Sequence, residues 1–315
     1  VLSEATLYGL PMYRVELPAR FNQLKALSEP PDVCDISMAP SLQELQAQTI
    51  NCTLPFTRPT DTDSGRFYSV FGETEVNMGQ PIQPRTSVSI PGAVGSALLP
   101  EKVAHGVIFE GGQYQTIYNF DPVVARVITD GTQGRREEPA FDFQMWLPST
   151  WDVINKVRTK DGLSQELVLV PAQYYGTTAS LGIERIFKVM TYTVYYSDGY
   201  DTIPPNIWKV NGWDRGDQIQ FKVETTDFSG IARVVATYTN NDGFWHTVDL
   251  AQSALDPNVW TGTSPLGGGT ALMENVEFFV QALDTAGNVA VTDNKGSYFE
   301  LNESVFLPIV LRRTQ

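Results

Sequence analysis

Cleavage of a covalent bond by nucleophilic attack needs a serine or cysteine beside a base that can take its proton. The sequence offers two histidines for that role, His105 and His246. His105 sits in the strand-like VAHGVIF and His246 follows Trp245 in a hairpin-like stretch, so each reads as a strand or surface residue rather than a base. No Gly-x-Ser-x-Gly elbow accompanies them. Cys34 and Cys52 lie close together in a Pro-rich region. They read as a disulfide or, failing that, as two separate buried thiols; a metal site would need four ligands nearby, and the histidines are far away. A bridge would stabilise the fold by on the order of 3 kcal/mol through its constraint on the unfolded chain. It would also imply an oxidising compartment.

Glycoside hydrolysis takes two carboxyl groups roughly 5–10 Å apart. Glu137, Glu138, Asp142 and Asp152 are candidates, but the chain is rich in acids and no spacing selects a pair, so solvated faces are expected. Asp61-Thr-Asp63-Ser-Gly65 has part of a calcium loop and lacks the remaining alternating acids. Asp227, Asp284 and Asp293 could hold an ion only by meeting at one end of a sheet stack. No cofactor is therefore expected, calcium being the one ion these acids could serve. The Arg-Gly-Asp triplet at Arg215–Asp217, of the kind integrins read, is most simply a turn into the strand-like QIQFKVE. Flat rings stack on sugar faces, which makes Trp208, Trp213, Trp245 and Trp260 candidates for glycan stacking; core or interdomain packing is their simpler role.

The elements that would position these residues are strands. Of 315 residues, 42% are hydrophobic and 11% aromatic, enough for proper cores and weighted toward strand formers. The net charge of -14 repels phosphate backbones and argues against nucleic-acid binding. No stretch approaches the ~20 apolar residues of a membrane helix. The opening VLSEATLYGL begins in mid-pattern, so a mature or trimmed product is expected.

Thr6–Leu17 reads as a strand with a turn, and residues 1–60 as that strand plus an irregular connector tied by the bridge, with a helix-like run at Ser41–Gln48. From Arg66 to Tyr200 short alternating runs recur between Gly and Pro turns, as in QYQTIYNF and IERIFKVMTYTVYYS. Trp151–Thr159 fits either a short helix or a strand. This predicts a larger antiparallel β-sandwich over 61–203. Pro204-Pro205 then marks a linker, and about seven short strands over 204–302 predict an immunoglobulin-like sandwich without the Cys…Trp…Cys pattern. Residues 303–315 are left as an apolar tail ending in arginines. The fold class expected is all-β, with two sandwiches.

Five stretches resemble known families. Asp227-Phe-Ser-Gly-Ile231, Asp242-Gly-Phe-Trp245 and Val280-Gln-Ala-Leu-Asp-Thr-Ala-Gly-Asn288 resemble bacterial immunoglobulin-like or fibronectin type III-like domains of secreted proteins. The opening TLYGLPMYRV resembles the last strand of the catalytic domain of gingipain-like cysteine peptidases. Leu167–Ser197, with VPAQ followed by YTVYY, looks like β-domains attached to such peptidases. The family's catalytic His and Cys would lie before Val1, so the resemblance carries no catalytic residue into this chain. It implies a non-catalytic accessory or scaffold region, extracellular or at the cell surface. Its partners would be proteins, either the upstream part of its own precursor or copies of itself. The alternatives are a carbohydrate-binding module of an extracellular enzyme, or the C-terminal fragment of a gingipain-like peptidase whose catalytic domain lies upstream.

Overall fold

The computed structural model describes residues 33–43, 45–90, 103–125, 144–159, 162–265, 276–302 and 304–306. The expected strand at Thr6–Leu17 and the tail beyond Phe306 lie outside them, as do Glu137, Glu138 and Asp142. The described residues belong to one compact unit, Asp32–Gln315, and their secondary structure is all β.

Strand β1 (Cys34–Leu42) turns at Gln43, whose φ is 54°, into β2 (Leu45–Thr53). The helix-like run at Ser41–Gln48 is therefore strand. Leu45, Ala47 and Ile50 are buried, and β2 is hydrogen-bonded on both sides, by β1 and β13, so ladder pairing overrides local helix preference. The described part of the segment expected to be irregular thus includes a hairpin, with one register shift between Ala39 and Leu42. Cys34 stands directly opposite Cys52 and the two are joined in a disulfide.

Two small ribbons follow, β3 (Thr60–Thr62) with β4 (Gly65–Phe67) and β5 (Thr74–Glu75) with β6 (Gln83–Pro84). Then come β7 (Thr86–Ile90), the long β8 (Val103–Phe120) and β9 (Trp146–Leu147). The ambiguous run after Trp151 is strand β10 (Asp152–Thr159), paired with β11 (Gly162–Leu169), which also pairs with β7. Strand β12 (Ala172–Gly176) leads into β13 (Gly182–Ser197), which lies between β8 and β2.

Residues 198–205 contain no strand and join β13 to β14 (Asn206–Asp214). Beyond lie β15 (Gln218–Thr226), β16 (Ile231–Thr239), β17 (Phe244–Gln252) and β18 (Val259–Pro265). Strands β19 (Glu277–Asp284), β20 (Val289–Thr292), β21 (Phe299–Glu300) and β22 (Ser304–Phe306) complete the series. Every strand pair is antiparallel. The main ladder runs β1-β2-β13-β8-β17-β18-β15-β14-β22. It passes from β8 to β17 through the pairs Gln113–Phe244 and Gly112–Trp245.

Strand β19 shows why these pieces pack together. Successive side chains point to opposite faces of a strand, and EFFVQALD is buried on both. Phe278, Val280 and Ala282 enter one core with Phe221, Tyr238 and Phe299. Phe279 enters the other with Phe109, Trp151, Phe187, Trp245 and Tyr298. In the latter, Trp151 lies 5.1 Å from Phe109, 5.9 Å from Trp245 and 5.6 Å from Phe279, centroid to centroid. These rings come from strands far apart in sequence, and their burial supplies much of the cohesion between them.

Candidate functional site

The groups that nucleophilic chemistry would have needed are each held in structural contacts. Both thiols are in the disulfide. His105 Nδ1 lies 3.2 Å from Asn288 Oδ1; the amide oxygen can only accept, so Nδ1 carries the proton. Burial pulls this imidazole below its ordinary pKa, against the opposing effect of the Asn288 bond. His246 Nε2 is 2.7 Å from Asp242 Oδ2 at an exposed hairpin.

Turn chemistry gathers three carboxylates at one end of the C-terminal strands. Antiparallel pairing puts Ile231 opposite Asp284, which brings the Asp227–Gly230 turn beside the Asp284–Asn288 turn. Thr285 then donates from its backbone N to Gly230 O at 3.0 Å and from Oγ1 to Ser229 O at 2.6 Å. Asn288 Nδ2 donates to Asp284 Oδ2 at 2.8 Å and to Asp201 O at 3.2 Å, drawing in the residues after β13. Oxygens of Asp201, Asp227 and Asp284 consequently lie within 4.8 Å of one another, and among the described residues this is the group whose carboxylates one cation could share. Asp293, which the sequence allowed as a companion of Asp227 and Asp284, is not in this group and lines a cleft instead. Burial raises the Asp284 pKa, the Asn288 bonds oppose this, and the Asp227 charge adds to it. Asp227 Oδ1 accepts from Ser229 N at 2.7 Å and Asp284 Oδ1 from Asn288 N at 2.7 Å, so these carboxylates also serve as turn formers.

The remaining motifs resolve locally. Asp61 pairs with Arg66 across the β3–β4 ribbon. The Arg-Gly-Asp triplet is the β14–β15 turn: Gly216, at φ 89°, donates to Asp214 Oδ1 at 2.7 Å, and Arg215 donates to Gln220 Oε1 at 2.8 Å. Of the four candidate stacking tryptophans, Trp245 and Trp260 are core residues, 3% and 7% exposed. Their large apolar area is taken up by neighbouring strands, which leaves no free ring face for a sugar. Trp208 and Trp213 stay half-exposed, and the Arg215 guanidinium sits over the Trp213 ring.

A cleft of about 380 Å³ lies between β8, β10, β19 and β20. Trp151, Phe279 and Val289 give it apolar walls, and Asp152, His105 and Asp293 supply polar groups. Asp152 accepts no hydrogen bond from any described residue, though its side chain is still partly reached by solvent through the cleft. Loss of hydration alone pushes its carboxyl up to about 7. Burial likewise raises Asp293, opposed by backbone N–H donors of its own turn. Lys156, further along β10, is lowered by desolvation. Nothing in the sequence singles out Asp152 among the acids. Its distinction arises only once β10 is laid over β8 and β20.

The arrangement defines an all-β protein of several sheets, closed near its N-terminal side by one disulfide. No protein-family model and no curated protein matches the chain. Among solved structures it is similar to a chain from the complex of Porphyromonas gingivalis RgpB pro- and mature domains. That match has a TM-score of 0.33 and 16% identity, covering 55% of this chain and 90% of the other. It is also similar to a chain from a structure on the zymogenic latency of gingipain K from the same organism. There the TM-score is 0.36 and the identity 13%, covering 54% of this chain and 96% of the other.

Proposed function

We propose that the chain is a non-catalytic accessory or scaffold region of a secreted or cell-surface bacterial protein, working through anchoring, assembly or protein contact. One observation supports this reading above others: the side chains that nucleophilic catalysis would draw on are committed to structural contacts. The two thiols are bonded to each other, His105 gives its Nδ1 proton to Asn288, and His246 pairs with Asp242. The disulfide suits an oxidising location outside the cytoplasm. The shared aromatic core and the continuous ladder suit a firm frame on which a larger protein is displayed. The partner proposed is the upstream part of the chain's own precursor, or further copies of the chain.

Sedimentation velocity tests this, run over a range of concentrations with and without that upstream polypeptide. Complexes that form in either series are the expected result. A chain that stays monomeric in both overturns the proposal, as does steady turnover of casein or a polysaccharide that is lost in His105→Ala or His246→Ala.

A further inference from the structure

Asp152 is a carboxylate lining a cleft, with no hydrogen-bond donor among the described residues. The reason lies in what surrounds it. Lys156 shares its strand but stands four residues away, roughly 13 Å at about 3.3 Å per residue, and makes no ion pair with it. His105 has its Nδ1 proton on Asn288, and burial holds its pKa below the ordinary value. Asp293 is a second acid, already held by backbone N–H groups. Tyr298 gives its hydroxyl proton to Gln173 at 2.7 Å. Tyr192, behind the cleft, has its hydroxyl turned to the Met190 sulfur at 3.7 Å. Gln281 is spent on the backbone of Phe109, donating to its O at 2.8 Å and accepting from its N at 2.9 Å.

We propose that this cleft binds an alkylammonium group, the nitrogen donating to Asp152 and the stem lying against Trp151 and Ile154. The volume, about 380 Å³, is in the range of small-ligand pockets. Trp151 and Phe279 add aromatic walls that favour a cation next to an apolar stem. Two acids against one lysine leave the lining net negative, and the whole chain, at -14, raises the local concentration of cations. A neutral alcohol could donate one hydrogen bond but could not neutralise the carboxylate. The site stands whether or not the accessory reading holds.

The same chemistry could reach the cleft as a free amine or as a lysine side chain of another protein. Titration of the full chain with n-butylammonium at pH 8, followed by the indole ¹⁵N–H shift of Trp151, tests the site. Nα-acetyl-lysine methylamide serves as the second probe and 1-pentanol as the neutral control. Expected are saturable shifts with n-butylammonium, at least about tenfold weaker in Asp152→Asn and in the alcohol control. Lys156→Gln, which removes a like charge, should bind the same or more tightly. Binding should weaken on going from pH 8 to pH 6 as Asp152 takes up its proton. Comparable binding of the lysine derivative points to a protein-borne lysine, and binding of n-butylammonium alone to a free amine. No saturable shift with either amine, equal binding of 1-pentanol, or unchanged amine binding in a folded Asp152→Asn chain overturns the proposal.

Discussion

The guanidinium carbon of Arg185 lies 3.9 Å from the centre of the Trp146 ring, with Tyr114 5.1 Å away, and the side chain is almost wholly buried. A fixed planar cation there joins three parts of the chain. Nη1 is in ion contact with Glu277 on β19 at 2.6 Å, and Nη2 donates to Asn241 at the β16–β17 turn at 2.9 Å. Arg185 is a charged tie between β13 and the C-terminal strands.

Arg185→Met removes the charge and leaves Glu277 facing an apolar neighbour. Because Glu277 keeps some solvent contact, we expect a loss of about 2–4 kcal/mol in urea unfolding, near the lower part of the range for a broken buried pair. Arg185→Lys should recover little of it, since an ammonium cannot stack flat on Trp146 while reaching both partners. A lysine variant as stable as the parent would show that charge alone, without the planar fork, suffices.

Asp152 makes stability depend on pH in an unusual direction. Its folded-state pKa, about 7, is above the unfolded value near 4, so the native state holds the proton more tightly. This contribution is fully present below the unfolded pKa and fades as pH rises toward 7. Asp152→Asn should therefore gain stability over the parent as pH goes from 4 to 7, by at most about 1.4 kcal/mol per pH unit, and no further above it. Buried Glu184, also raised by desolvation and bonded by Gln83 Nε2 at 3.4 Å, slopes the same way in both proteins and cancels in the comparison. Parallel urea midpoints for the two proteins from pH 4 to 8 would contradict this.

Strand content was legible because alternation is local. Tyr192 to Tyr196 and the run Gln218–Val223 announce a strand with no knowledge of what covers it, and each forms one. The run Ser41–Gln48 misled because its residues suit a helix in isolation, and only flanking strands fix it as extended. Trp245 was legible as part of a hairpin and as a ring suited to packing, but not its partner: its burial comes from β17 meeting β8, more than a hundred positions earlier in the chain. Asp201 joins Asp284 through Asn288, and Asp152 acquires its cleft from β8 and β20. Long-range placement of this kind leaves no periodic trace in the sequence.

Gly112 marks the junction of the ladder. It pairs with Met190 on one side and Trp245 on the other, and a methyl group there would lie 2.3 Å from Val189 O. Neither neighbour is a flexible side-chain end, so the backbone itself must yield. Gly112→Ala should cost about 1–3 kcal/mol, in the manner of an overpacked core, and should change the near-ultraviolet circular dichroism of the Trp151–Trp245 cluster. An unchanged aromatic spectrum at full stability would mean that β8 and β17 part easily.

The disulfide joins β1 to β2 at the outer end of the main ladder, where Ile36 is 37% and Met38 53% exposed. With so few apolar contacts, β1 depends on the covalent link more than an inner strand would. Replacing both cysteines, as Cys34→Ser with Cys52→Ser, should lower global stability by about 3 kcal/mol or somewhat less. The more specific expectation is local. Amide exchange in Asp35–Ala39 should speed up well beyond that in β13, since the opening of an edge strand requires only part of the global free energy. Equal protection factors in β1 with and without the bridge would mean that its pairing with β2 is sufficient on its own.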